Sequence, residues 1–369
     1  MALTHTVTAH QGLEGLIGLE SAWREVFSAM PEARAHHGWE AAYAYATTGP
    51  RAEQAMTYLA LSDDHGVAAI VPLERREDRA LGMPITVLGL PWDDEWPLGD
   101  IVARDDSWSQ TAAEAALTWA RGRASMLVAG PLPASSAVWD GVRGSGAASA
   151  IYPQMAWNQI GCAGTFDAYF SALKKNFRGN LRKARNRLAA LDGVEFRCVG
   201  GPEEVAREFS TFMAVEASGW KGAEGTAIAC RPQAEAWYRT WLEAMARQGL
   251  VEMNALYLEG ACIASQVCVR TRDVYEIHKI GYDESHARLA PGQLLLERTL
   301  RRCFDDPSLN VVELMSDTSW QYDWAPTGRP MCMGRVALGF GGTLLMPLVR
   351  FRFGAARSLV RRFRAMLGS

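Results

Sequence analysis

The chain reads the same order of elements twice, and this repetition limits its fold more than any other feature. In the first half, amphipathic spacing predicts helices over 13–30 and 39–46. Strands over 56–61 and 67–73 flank Asp63-Asp64-His65-Gly66, a hairpin-turn signal. A strand at 85–90, a helix at 107–121 and a short buried strand at 126–129 follow. The second half starts again with helices over 202–216 and 232–248, then strands 251–258 and 261–269 around Glu259-Gly260. A strand at 274–282, a helix at 293–302 and a strand at 310–315 complete it. Helices interleaved with strands in this way predict a mixed α/β fold in two halves. The halves share negligible sequence, so the duplication rests on element order. The Gly/Ser/Ala stretch Gly144–Ala150 reads as their connection. The expected division is 1–160, 161–330 and a C-terminal tail over 331–369.

The centre of the second half is Val274–Arg302, VYEIHKIGYDESHARLAPGQLLLERTLRR. Strict alternation along the strand puts Glu276, His278, Ile280 and Tyr282 on one face, and Tyr275, Ile277, Lys279 and Gly281 on the other. Lys279 shares the His278 face only if the strand is bulged. Pro291 suits a first helical turn, where its missing N–H costs nothing, and Gly292 permits close approach to the backbone. A helix start of this kind is an anion site by its free N–H groups and its dipole.

Charge is unevenly distributed. The helical unit over 165–191 holds Lys174, Lys175, Arg178, Arg182, Lys183, Arg185 and Arg187, with no acid between Asp167 and Asp192. Lys174, Arg178 and Arg182 fall at four-residue spacing and predict a basic stripe. This is either a solvated face or a contact for an anionic substrate or cofactor. Thr165 is the expected cap of the unit. From Ala325 to Ser369 there are eight Arg and no Asp or Glu, whereas the whole chain carries 38 basic and 41 acidic residues. An amphipathic helix is predicted over 347–367, with Arg350, Arg357, Arg361 and Arg364 on one face. Three readings stay open for it: contact with an anionic membrane surface, a helix docked on its own domain, and a phosphate ligand such as a cyclic dinucleotide held by Arg357 and Arg361.

Five ordered segments carry a resemblance to a known family. They are LKKNFRGNLRKARNRL (Leu173–Leu188), SGWKGAEGTAI (Ser218–Ile228), LYLEGACIASQVCV (Leu256–Val269), the stretch Tyr275–Arg302, and DTSWQYDWAP (Asp317–Pro326). Together they resemble the cellulose-biosynthesis, CelD-type branch of the GNAT acyltransferase superfamily, which is related to the FemABX aminoacyltransferases. The first half fits that family more loosely. The resemblance implies tandem GNAT-like domains sharing a cleft, with acyl-CoA (acetyl-CoA) as donor and no metal. It also implies acylation of an amino sugar on a polysaccharide or a nucleotide- or lipid-linked sugar precursor of the exopolysaccharide or holdfast type. One departure is Tyr322-Asp323-Trp324, where the family commonly has Tyr-Lys before the Trp.

Amine acylation needs a base for the amine, a donor for the developing oxyanion and a proton for the leaving group. His278 and Glu276 are the candidate base pair, with a core histidine as the competing reading for His278. Tyr282 is the candidate proton donor, and Asp317 could orient the amine or the base. Pro291, Gly292 and Gln293 are the first choice for donor phosphates, and Lys174, Lys175, Arg178 and Arg182 the second. Trp220, Lys221, Lys279, Tyr322 and Trp324 are candidate substrate contacts.

Other chemistries fit less well. There is no Gly-x-Ser-x-Gly elbow, and neither His36-His37 nor the seven scattered cysteines have metal spacing. No DNA partner is expected. The cysteine pattern predicts reduced thiols. The N-terminus reads as no signal peptide, and no run reaches the roughly 20 apolar residues of a spanning helix. The expected location is cytoplasmic, peripheral at the inner face of the membrane. Two rival functions remain: a Fem-like transferase using aminoacyl-tRNA, and a non-catalytic protein binding a precursor at the membrane surface.

Overall fold

The computed structural model describes residues 5–48, 56–80, 83–93, 96 and 99–351. The chain begins with β1 (Thr6–Gln11), α1 (Gly12–Gly18), α2 (Glu20–Ala29), α3 (Trp39–Thr48), β2 (Met56–Asp63), β3 (Gly66–Ala80) and β4 (Met83–Gly89). It continues through β5 (Val102–Ala103), α4 (Asp106–Ala120), β6 (Met126–Pro133) and α5 (Val138–Gly144) to β7 (Ser149–Gly161). Then come α6 (Phe166–Ala172), α7 (Lys175–Ala189), β8 (Val194–Val199), α8 (Pro202–Ser218), α9 (Trp220–Ala223), α10 (Pro232–Ala246), β9 (Val251–Leu258) and β10 (Ala261–Thr271). The last elements are β11 (Val274–Tyr282), α11 (Pro291–Asp305), β12 (Val311–Glu313), β13 (Thr327–Ala337) and α12 (Phe340–Arg350). The described residues form two compact units: those within 5–47, 56–155 and 330–351, and those within 48 and 156–329.

The two units share one topology. Strands of the first run β1-β2-β3-β4-β6-β13, and those of the second β8-β9-β10-β11-β12-β7. In each, four antiparallel strands lead to one parallel pair, β4 with β6 and β11 with β12. A parallel pair needs a crossover, which α4 and α11 supply. The closing strand of each set comes from a distant part of the sequence: β13 pairs antiparallel with β6, and β7 with β12. The β9–β10 turn has φ of 50° at Glu259 and 82° at Gly260, the paired positive values that a two-residue hairpin of type I′ requires.

Each unit has its own core. In the first, Leu59, Leu61 and Leu73 of the sheet meet Trp108, Leu117 and Trp139 of the helices. In the second, Ile263, Tyr275 and Ile277 meet Leu181 of α7 and Leu295, Leu296 and Leu300 of α11. Thr165 caps α6 as expected, accepting from the Ala168 N–H at 3.2 Å.

Several expectations change. The helix over 13–30 is two helices broken at Leu19, and the unit over 165–191 breaks at Leu173, whose backbone is extended. Lys174 is therefore the residue before α7, outside the helical row of Arg178 and Arg182. Strands β1 and β8 escape a pattern reading because they are edge strands with little burial, so no alternation marks them. The tail expected from 331 opens instead with the strand residues of β13, where Met331, Met333 and Val336 are buried. Within α12, Arg350 donates to the Ser149 carbonyl at 3.0 Å. Arg357, Arg361 and Arg364 lie outside the described residues.

Candidate active site

The parallel strands β11 and β12 pair over only three residues, Val274–Glu276 with Val311–Glu313. Beyond Glu313 the chain turns away, with a positive φ of 50° at Met315. β11 continues to Tyr282, held by β10. Such a parting at the carboxyl ends of parallel strands is where open α/β sheets bind ligands.

At the parting, β11 is bulged. Val267 of β10 faces Lys279 and Cys268 faces Ile277, so His278 is the extra residue. The bulge resets the side-chain alternation. His278 lies edge-on to Trp241 of α10, ring centroids 4.7 Å apart. Lys279 sits over the ring of Tyr238, also on α10, at 5.7 Å. Both residues therefore face α10. Tyr282 moves across: a Cβ built on Gly292 of α11 would meet the Tyr282 ring at 3.6 Å. The expectation that Tyr282 shares a face with His278 is thus corrected, because strict alternation ignores the extra residue.

The His278 side chain is 3% exposed and that of Glu276 fully buried, with Nε2 and Oε2 3.3 Å apart. Glu313 is the ladder partner of Glu276, so the two carboxylates lie on the same face. Glu313 is fully buried too, and the Arg329 guanidinium approaches it at 3.4 Å. Among the described residues, the His278 Nε2, the indole N–H groups of Trp237 and Trp241 and the Ser265 hydroxyl find no hydrogen-bond partner. Buried polar groups of this kind call for a polar partner. Glu313, Arg329, Trp241 and Tyr238 were missed by sequence reasoning. Only Glu313, a lone carboxylate in the apolar run Val311–Met315, left a readable signal.

On the opposite face of β11, α11 begins after Ala290, which is left-handed at φ 51° and ψ 49°. Pro291 occupies the first turn, and the Gln293 and Leu294 N–H groups return to the Ala290 carbonyl. Trp324 is fully buried, and its indole N–H donates to the Gln293 side chain at 2.6 Å. Its ring stands against Phe177 of α7 at 5.1 Å. The Tyr169 hydroxyl donates to its carbonyl. Trp324 is therefore a tie between α7 and the start of α11, and the expectation that it contacts substrate is corrected by its burial. This tie brings together the two segments expected to hold donor phosphates. Lys175 and Arg182 are exposed and Arg178 half-buried. Lys174 lies 3.8 Å from Asp323, the departure noted in the sequence. Arg185 of α7 approaches Glu297 of α11 at 3.5 Å. Burial raises the Glu297 pKa, and the charges of Arg185 and Arg301 oppose that shift.

The remaining candidates are divided. Lys221 is bonded to the buried Glu216 at 2.8 Å and reaches the Ile280 carbonyl at 3.4 Å. Glu216 also accepts from the Ile228 N–H at 2.9 Å, so Lys221 clamps the α9 segment onto β11 and is not a free substrate contact. Trp220 exposes its ring, while its backbone N–H donates to the Glu284 carboxylate at 3.2 Å. Asp317 accepts from the Tyr322 hydroxyl, and this bond raises the pKa of the phenol. Both side chains are exposed after the end of β12. At the other end of β11, a polar cavity of about 380 Å³ is lined by Glu252, Arg270, Tyr275, Arg302 and Asp306. These groups bond to one another or to Asn254 and Ser308.

Residues 175–322, from the first residue of α7 to Tyr322, match the family described as an acetyltransferase (GNAT) domain. The chain carries a GNAT-type acyltransferase domain. The parted strands, the bulge and the start of α11 all lie inside the matched residues of this acyltransferase. Its solved-structure neighbours show the fold alone, being 9–12% identical. FemX aligns at a TM-score of 0.59 with 9% identity, covering 88% of this chain and 97% of its own. The C-terminal domain of a candidate lysylphosphatidylglycerol synthetase from Agrobacterium fabrum aligns at 0.55 with 10% identity, covering 91% and 97%. L-PGS from Bacillus licheniformis aligns at 0.52 with 12% identity, covering 90% and 96%. No curated protein matches the chain in sequence. The acyltransferase has a mixed α/β fold of two GNAT-like halves. Among its described residues, no helix is long and apolar enough to cross a membrane.

Proposed function

We propose that this acyltransferase moves an acyl group, an acetyl group first among them, from acyl-CoA to the amino group of an amino sugar in a cell-surface or exopolysaccharide precursor. The observation that carries the reading is the bulge at His278, where β11 and β12 part. It sets a histidine–carboxylate pair on one face of the strand while the strand's end leads into α11 on the other. In this reading the donor phosphates lie at Pro291, Gly292 and Gln293, flanked by Lys174, Lys175, Arg178 and Arg182 of the basic segment. The amine attacks the thioester carbonyl, so a C–N bond forms and the C–S bond breaks. The amine proton passes to His278 Nδ1, and Glu276, 3.3 Å from Nε2, stabilises the imidazolium. Tyr282, beside Gly292, returns a proton to the departing thiolate. Asp317 and Tyr322 contact the acceptor, as does the exposed ring of Trp220. The amino-sugar acceptor rests on the five segments that resemble the CelD-type branch.

The test is mass spectrometry of a panel of free and nucleotide-linked amino sugars after incubation with acetyl-CoA and the protein. An acyl mass gain on one sugar, lost in His278→Gln, is expected. A folded protein that acylates none of them with any acyl-CoA refutes the reading.

A second reading is aminoacyl transfer from aminoacyl-tRNA. The basic residues of α7, with no acid among them, favour it. Activity in an extract would then fall with ribonuclease and survive depletion of CoA.

A further inference from the structure

The three most exposed large apolar side chains of the described residues lie on or directly after one helix. On α12, Phe340 is 82% exposed, Leu344 62% and Leu348 46%, and Phe351 directly after it is 70% exposed. Their spacing of four, four and three residues sets them in one stripe along the helix. Pro347 adds to the same outward side. The inward side is apolar as well, with Gly342 and Met346 buried and Leu345 and Val349 packed on the core of the first unit. A helix apolar all round on a water-facing surface is unusual, because its outer face then stays wet at a cost.

The charge of the surrounding sequence identifies what covers it. From Ala325 to Ser369 the chain carries eight Arg and no acid, and five of those Arg follow Phe351. A second copy of the chain laid on this stripe would bring two such basic stretches together. An anionic lipid surface meets both features at once, taking the apolar stripe at the acyl boundary and the arginines at its headgroups. At 11 residues, α12 is about 16 Å long and too short to span the hydrocarbon core. We propose that α12 lies in the surface of an anionic bilayer, with Phe340, Leu344, Leu348 and Phe351 as its inserted side. This differs from the sequence expectation, in which the arginine face of a helix over 347–367 makes the contact. It stands independently of the acceptor and donor proposed above.

Flotation of the full chain tests it, using vesicles of phosphatidylcholine alone and vesicles with about a quarter phosphatidylglycerol. The full chain is expected to float with the anionic vesicles. It should partition about 100-fold less onto the neutral ones, a difference that shrinks as salt rises. The double variant Leu344→Glu, Phe351→Glu should lose about 100-fold or more in partition while keeping the wild-type melting curve, since neither side chain is part of the core. Truncation after Phe351 should remove most of the dependence on phosphatidylglycerol but leave the stripe. Failure of the full chain to float with either vesicle overturns the proposal. So does flotation of the double variant at the wild-type level. Light scattering that shows a dimer converted to a monomer by the double variant, with flotation unchanged, assigns the stripe to a second copy and also overturns it.

Discussion

Replacing His278 tests the chemistry most directly. The side chain is 3% exposed, lies 3.3 Å from the fully buried Glu276, and is braced by Trp241 at 4.7 Å. A core histidine and a catalytic base predict different outcomes at this position. Truncation to Ala would strand Glu276 without its neighbour and open a hole beside Trp241. Breaking a buried pair in this way costs about 3–5 kcal/mol, so His278→Ala confounds folding with chemistry. His278→Gln keeps a polar group near Glu276 and most of the volume, and the expected loss of stability is about 1–2 kcal/mol. If His278 takes the amine proton, the rate falls by about 10²–10⁴, or roughly 3–5 kcal/mol of barrier. The fall should lie in kcat with KM nearly unchanged, because the base acts on the transition state. Glu276→Gln should lose about 10²-fold, and the double variant little more than His278→Gln alone, since the two act as a unit. CoA release measured by thiol reagent with the best amine of the panel gives these constants, and urea unfolding gives the stability. A folded His278→Gln protein within threefold of the wild-type kcat would refute the reasoning, as would losses that add in full across the double variant.

Three further outcomes follow from the geometry. Trp324→Phe removes the indole bond to Gln293 and part of a fully buried ring. It should cost about 1–3 kcal/mol in urea unfolding and weaken acyl-CoA binding by calorimetry, because the first turn of α11 loses its tie. Lys221→Met leaves Glu216 buried without its cation, although the Ile228 N–H still bonds to it. It should cost about 2–4 kcal/mol and speed proteolysis within 219–231, and an unchanged cleavage pattern would count against the clamp. Glu297 has a pKa raised by burial, so its ionised form costs stability in the folded state. That cost is absent below the unfolded pKa and grows as pH rises through the folded one. Glu297→Gln should therefore raise the melting temperature at pH 7 by about 1–3 °C and leave it unchanged near pH 4.

The sequence by itself determined the mixed α/β class, the two-fold repeat of elements and the strand–helix unit at the centre of the second half. Hydrophobic period and turn residues report these directly: Asp63–Gly66 and Glu259-Gly260 close hairpins, and Pro291 starts a helix, each through local backbone preference. The pairing of Glu276 with His278 was also legible, as two residues two apart on one strand. The rest needed tertiary structure, because it depends on residues distant in sequence. Strands β7 and β13 close their sheets by pairing with β12 and β6, a choice no local pattern encodes. The bulge at His278 exists only in the register between β10 and β11, and it moved Lys279 and Tyr282 to faces opposite those that alternation gives. Burial made Trp324 a tie and Lys221 a clamp, because an exposed aromatic or cation and a packed one have the same letter. The apolar stripe of α12 was likewise unreadable. Its inner and outer faces are equally apolar in sequence, and only packing on the first unit's core decides which of them meets water.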